Sequence, residues 1–184
     1  MTNSTILSSA GGPLLSLGYP GQIADDQECS IMSRINESVT GGNSTATPGM
    51  MDFGIAVSRG TGTNTCKILG ASELPIGITV RDPTMSPDGL NQQGYWPTFA
   101  VPIMYLGDIY VTTAEIVHDG DAVFALVSRG GMLGGITVGG ASSDRILVPG
   151  AVWCSEPGAA STAIAAGAIG RIRLTGTSNP RTST

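Results

Sequence analysis

The sequence predicts an all-β fold: a compact β-barrel or sandwich, jelly-roll-like or similar, with an extended N-terminal arm. Three observations lead there. Apolar residues fall in short runs of period two, and Gly and Pro punctuate those runs at roughly 8–12-residue spacing. No stretch sustains the apolar stripe of a helix. Of the 184 residues 41% are hydrophobic, enough apolar surface to offset the ordering entropy that would leave a Gly/Ser/Pro-rich chain disordered.

Residues 1–49 read as the arm. Pro20 and Gly21 within Gly18-Tyr19-Pro20-Gly21-Gln22-Ile23-Ala24-Asp25 forbid a helix and favour a turn or extended path. Cys29 to Ile35 has room for one short strand seated by Ile31 and Ile35, and Val39 to Pro48 is a loop by composition. The barrel domain is expected over 50–175. Phe53, Ile55 and Val57 share one face of a first strand, Thr65 to Leu69 follows a Gly60-Thr61-Gly62 turn, and Leu74 to Val80 alternates likewise. Asp82 to Gln93 is a long loop. Phe99, Val101 and Ile103 alternate again, with Pro102 marking an edge strand or a bulge. Ile109 to Thr112, Ala122 to Val127, Arg145 to Val148, Ala151 to Ser155 and Ala168 to Leu174 are the remaining strands. Glu156 to Ala168 is rich in alanine, but Gly158, Gly167 and the isolated Ile164 spoil a helical stripe, so a loop and hairpin are expected. Residues 176–184 form a flexible tail.

Charge narrows the function class. Only 12% of the residues are charged, about half the usual ~25%, and Lys67 is the single lysine. A surface without interspersed Lys and Glu is one that partners cover. The net charge of −5 and the dispersed arginines, from Arg34 to Arg181, argue against nucleic acid as the main partner, since phosphate binding needs a basic stripe. No run approaches the ~18 apolar residues of a membrane span, and residues 1–17 lack the charged start and continuous apolar core of a signal peptide.

No catalytic constellation assembles from the sequence. The single histidine, His118, sits in an Asp119-Gly120-Asp121 turn; that pair of aspartates lacks the alternating ligands and distal Glu of a calcium loop. Gly130-Gly131-Met132-Leu133-Gly134-Gly135 has the glycines of a phosphate loop without the Lys-Ser/Thr that would follow. No catalytic residue, metal ligand, cofactor or small-molecule substrate is expected. Binding surfaces are. Leu14, Leu15, Leu17, Tyr19, Pro20 and Ile23 would be poorly soluble on a free arm, and an extended apolar segment is stabilised by lying across a neighbouring subunit. Tyr95 and Trp96, at the end of the long loop, are candidate interface anchors.

The order of these segments resembles a known family. Gly18 to Asp25 comes first, then Phe53-Gly54-Ile55-Ala56-Val57-Ser58-Arg59-Gly60, Ile76-Gly77-Ile78-Thr79-Val80-Arg81-Asp82-Pro83, and Gly120-Asp121-Ala122-Val123. Pro149-Gly150-Ala151-Val152-Trp153 and a strand from Ile169 to Leu174 complete it. This succession resembles the structural cement (capsid decoration) proteins of tailed bacteriophages. The resemblance implies a homotrimer on the outer surface of the virion capsid, assembled in the bacterial host cytoplasm, that binds the major capsid protein and holds its subunits together without chemistry. The alternative is a non-catalytic binding module, a glycan-binding or adhesin-like domain of a phage tail or fibre, with Tyr95 and Trp96 as its stacking patch.

Cys29, Cys66 and Cys154 are an odd number at wide spacing, which suits neither a disulfide framework nor a zinc site. Thiol titration in denaturant is expected to find three reactive groups per chain; finding one would mean a disulfide and a secreted protein.

Overall fold

The computed structural model describes residues 18–24, 28–38, 49–84, 94–135, 144–154 and 163–176. The first half of the chain contributes β1 (Ser30–Asn36), β2 (Ala56–Arg59), β3 (Thr65–Ile68), β4 (Pro75–Thr79) and the long β5 (Ala100–Thr112). These five close a barrel. β1 runs parallel to β3, and β3–β2, β2–β4, β4–β5 and β5–β1 are all antiparallel, so the last pairing returns to the first strand. Closure leaves the barrel no unpaired edge to aggregate. β1 occupies the stretch around Ile31 and Ile35, so residues expected in the arm supply a barrel wall.

The second half adds β6 (Val117–His118), β7 (Ala122–Leu126), β8 (Met132–Gly134), β9 (Arg145–Cys154), β10 (Ala163–Ile164) and β11 (Ile169–Thr175). From β5 the sheet continues through β11, β9 and β7 to β8. A parallel bridge between Thr113 and Leu133 brings β8 back to the end of β5, and the Ala56 amide donates to the Gly131 carbonyl at 2.9 Å. The continuation of the sheet therefore curls into a second layer against the first barrel. β10 and β6 pair separately as a short ribbon.

Two apolar cores result. One fills the barrel with Met51, Phe53, Ile55, Val57, Ile76, Tyr95, Val101 and Ile103. The other lies between the barrel wall and the second layer of the sheet, around Ile78, Met104, Ile109, Val111, Leu133, Trp153, Ile172 and Leu174. The Trp153 indole is fully buried and satisfies its N–H on the Gly134 carbonyl at 3.1 Å. Asn36, also fully buried, donates from Nδ2 to the carbonyls of Gly49 and Tyr95, each at 2.9 Å, and accepts from the Ser38 amide at 2.8 Å. Its amide thus ties the end of β1 to both flanking chain segments.

Three sequence expectations change. The runs at Phe99–Ile103 and Ile109–Thr112 belong to one strand, β5, because neighbours pair with it along its whole length. Pro102 is no edge residue: it faces Ser33 of β1, and its carbonyl accepts from the Val80 amide at 2.9 Å on the way into β4's side. The runs expected at Arg145–Val148 and from Ala151 onward likewise merge into β9, which ends at Cys154 and is carried through Pro149-Gly150 by a bulge against β7.

A second bulge sorts residues between the cores. Val57 faces Gly77 while Ser58 faces Pro75, leaving Ile76 unmatched. Ile76 then enters the barrel and Ile78 the seam, although they share strand parity. Gly77 makes this possible: its φ is +155°, and a Cβ there would lie 2.4 Å from the Met104 carbonyl oxygen. Gly77→Ala is expected to cost about 2–4 kcal/mol, as a strained backbone plus a displaced strand. Chemical denaturation would measure it; a loss within experimental error would show that β4 can move off β5.

Candidate functional site

The surface around the GYPGQIA segment is built from backbone upward. Pro20 fixes the first central position of a turn and Gly21, at φ +79°, takes the left-handed second one, as a type II turn demands. The Gln22 amide donates to the Tyr19 carbonyl at 2.9 Å, and the Tyr19 amide to Gln22 Oε1 at 3.0 Å. No other residue fits at Gly21, because a Cβ would stand 2.8 Å from the Arg81 nitrogen and 2.9 Å from Phe53 Cβ. The segment then lies along β5 as an extra strand. Gly21 donates to Tyr110 (2.7 Å), Tyr110 to Gln22 (2.9 Å) and Ala24 to Asp108 (2.8 Å), while the Arg81 amide donates to Gly21 (2.7 Å). Ile23 is half-buried against the seam core. Pro20 is half-buried and Tyr19 is 65% exposed.

An aromatic–cation stack runs inward from that exposed ring. The Arg81 guanidinium lies 4.8 Å from the Tyr19 ring and 5.3 Å from the Phe53 ring. Phe53 meets Tyr95 edge to face at 5.2 Å and 82°. Tyr95 is fully buried, pairs through its backbone with Met51, and donates its hydroxyl to the Val80 carbonyl. Burial pushes its phenol well above the usual tyrosine range. Tyr95 is thus a core residue, a correction to its expected place at an interface, while the adjacent Trp96 is half-buried. A stacking patch of both rings cannot form. Leu14, Leu15 and Leu17 lie outside the described residues.

Sequence reasoning missed other exposed apolar side chains. Ile31 (42%) and Ile35 (44%) occupy the outward face of β1, and Phe99 (47%) sits beside them because the Asn36 amide donates to its carbonyl at 2.9 Å. Leu147 and Val152 are exposed on β9; the Pro149-Gly150 bulge between them turns residues of opposite parity to the same side. The period-two pattern located Ile31 and Ile35 on one face without revealing which side of the barrel that face is. Beyond β9, Arg173 makes a bidentate pair with Asp108, Nε to Oδ1 and a terminal nitrogen to Oδ2, both at 2.9 Å, which clamps β11 to β5.

His118 sits in the turn expected of it. His118 Nδ1 is 3.5 Å from Asp121 Oδ2, whose main task is to accept the His118 amide at 2.8 Å and close the turn. Cys66 is buried and its thiol is pushed up to about 12, first by desolvation, with Arg34 and Glu37 as its charged neighbours. Among the described residues no three His, Cys, Asp or Glu side chains gather as a metal site. The Gly130-Gly131 turn packs on β2 through the Ala56 bond described above.

The molecule is thus a β-barrel whose sheet continues into a second layer, with apolar side chains exposed on β1, β9 and the Tyr19 turn. A family model described as "Structural cement protein (E217 gp24/Pam3 gp6)" matches residues 9–175. The chain belongs to this family of phage structural cement proteins. The role that membership carries is to cement, or decorate, the capsid, and the family is a structural class rather than an enzymatic one. Among solved structures, a chain of "The capsid of Myoviridae Phage XM1" aligns over 94% of this chain and 99% of its own length, with a TM-score of 0.62 and 16% identity. At that identity the likeness shows a shared fold. No curated protein matches the sequence.

Tyr95→Phe removes one hydroxyl and leaves the buried Val80 carbonyl without that donor. It is expected to cost about 1–3 kcal/mol, read as a lower melting temperature, with oligomeric state unchanged.

Proposed function

We propose that this protein binds the outer surface of a phage head as a homotrimer and stabilises contacts between neighbouring major capsid protein subunits. Family membership over residues 9–175 carries the reading. The surface supports it. Charge is sparse, apolar side chains stand exposed on β1, β9 and the Tyr19 turn, and the core is sealed without any of them. A trimer multiplies a modest contact through avidity, so many weak, weakly charged interfaces can hold a shell against outward strain. Leu14, Leu15, Leu17, Tyr19, Pro20, Ile23 and Trp96 remain the proposed contact residues. Tyr19 is the best of them, since its ring is ordered by Arg81 before any partner arrives and gives up little entropy on binding.

Light scattering coupled to size exclusion should return three times 18.7 kDa. Co-sedimentation with undecorated heads should saturate, and Tyr19→Ala should weaken it by roughly tenfold, the effect of removing one aromatic anchor, while leaving the fold within ~1 kcal/mol of wild type. A stable monomer that ignores heads would defeat the proposal. A dimer that still decorates would remove only the threefold placement.

A further inference from the structure

Where the Tyr19 turn, the start of the barrel and β8 meet, the surface opens into a pocket of about 300 Å³. Pro20, Phe53 and Met132 give it apolar walls, and Asp52 and Thr112 supply its polar groups. Asp52 is half-buried, its backbone carbonyl is taken by the Thr79 hydroxyl at 2.8 Å, and its carboxylate receives no hydrogen bond or ion pair from the described residues. Arg81 also borders the pocket, but its guanidinium is held between the Tyr19 and Phe53 rings. We propose that this pocket is a socket for a basic side chain, a lysine or arginine, of the capsid protein on which the cement protein sits. An aliphatic stem would lie along the apolar walls with its cationic head on Asp52.

Chemistry favours that occupant over the others. A carboxylate taken partly out of water without a partner is costly, and a cation on a long stem satisfies both the charge and the walls. Desolvation alone raises the Asp52 carboxyl above its ordinary value, with no charged neighbour contributing. A second copy of this chain is poorly equipped to fill the socket. The chain is acidic overall at −5, and its one lysine, Lys67, is paired with Glu73. Arg145 is engaged by Glu115, and Arg171 and Arg173 by Asp108. Arg34 and Arg129 donate to the carbonyls of Thr63 and Ala114, so few cations of a second copy are left to reach the socket, and a different protein is the richer source of positive charge.

The socket also predicts an inverse relation between stability and attachment. The folded carboxyl holds its proton more tightly than the unfolded chain does. Its contribution therefore favours folding below the unfolded pKa and turns against it as pH rises through the folded one. At neutral pH Asp52→Asn should raise the melting temperature, and near pH 3 the gain should vanish.

The proposal rests on the cement reading above, so the experiment separates the two. Affinity of wild type and Asp52→Asn for undecorated heads is measured beside the Asp52 carboxyl resonance of the trimer during titration with N-acetyl-lysine methylamide or its uncharged norleucine analogue. The expected result is a more stable variant that binds heads roughly tenfold or more weakly, as for loss of one member of a desolvated charge pair. The lysine probe should shift the Asp52 resonance and the norleucine probe should not. A variant that decorates heads as tightly as wild type overturns the socket while leaving the cement reading intact. Loss of the trimer in Asp52→Asn places a neighbouring copy in the pocket and also overturns it. If wild type ignores heads, the cement reading fails, and the socket then stands or falls on the probe titration.

Discussion

The pairing of β5 on every side is the constraint that organises this molecule. One strand of thirteen residues closes the first barrel with β1 and β4, then carries β11 and the GYPGQIA segment along its second half. Two cores depend on it. Ile103 fills the barrel, while its neighbour Met104 belongs to the seam together with Ile109 and Val111. Losing the register of β5 by one residue would invert both assignments at once. That is why bulges and glycines cluster around it: the β2–β4 bulge, the Gly77 approach to the Met104 carbonyl, and Gly107 at φ +116° opposite Cys29. A shared strand also makes the two layers one cooperative unit, since neither retains a complete sheet without the other.

Polar groups in this framework are spent on fixing alignment. Asn36 holds three partners at the base of the barrel, and the Asp108–Arg173 pair fixes β11 against β5 with two parallel bonds. Arg145 reaches Glu115 and the Gly135 carbonyl, binding β9 to the connection after β5. Pairs of this kind add modest net stability once desolvation is counted, but they discriminate strongly against shifted alternatives. For a protein that cements a capsid, a unique and rigid surface matters more than a large folding free energy.

The surface follows the opposite policy. Ordered apolar groups are left uncovered, Tyr19 is held by Arg81 in a fixed orientation, and Asp52 at the layer junction has no counter-ion among the described residues. Each of these weakens the isolated protein slightly, and a partner covering it would remove that cost. Function that resides in a bound assembly leaves such uncompensated features on the free chain.

The sequence by itself determined the strand class and much of the local punctuation. Period-two runs at Phe53–Val57, Leu74–Val80 and Ala168–Leu174 satisfy a sheet, and Pro20-Gly21 excludes a helix in favour of a turn or extended path, because these are properties of neighbouring residues. The order of those pieces carried the family resemblance. Tertiary structure alone decided which strands pair, whether a run ends or continues, and which face looks inward. β5 and β9 each read as two strands because Leu106-Gly107 and Pro149-Gly150 look like stops, and only partners distant in sequence hold the chain straight through them. Tyr95 read as an anchor because a loop precedes it, yet the space beside Phe53 and Val80 was there to bury it. Ile31, Ile35 and the Asp52 pocket escaped for the same reason. Exposure depends on what a long-range neighbour covers, and sequence spacing does not encode that.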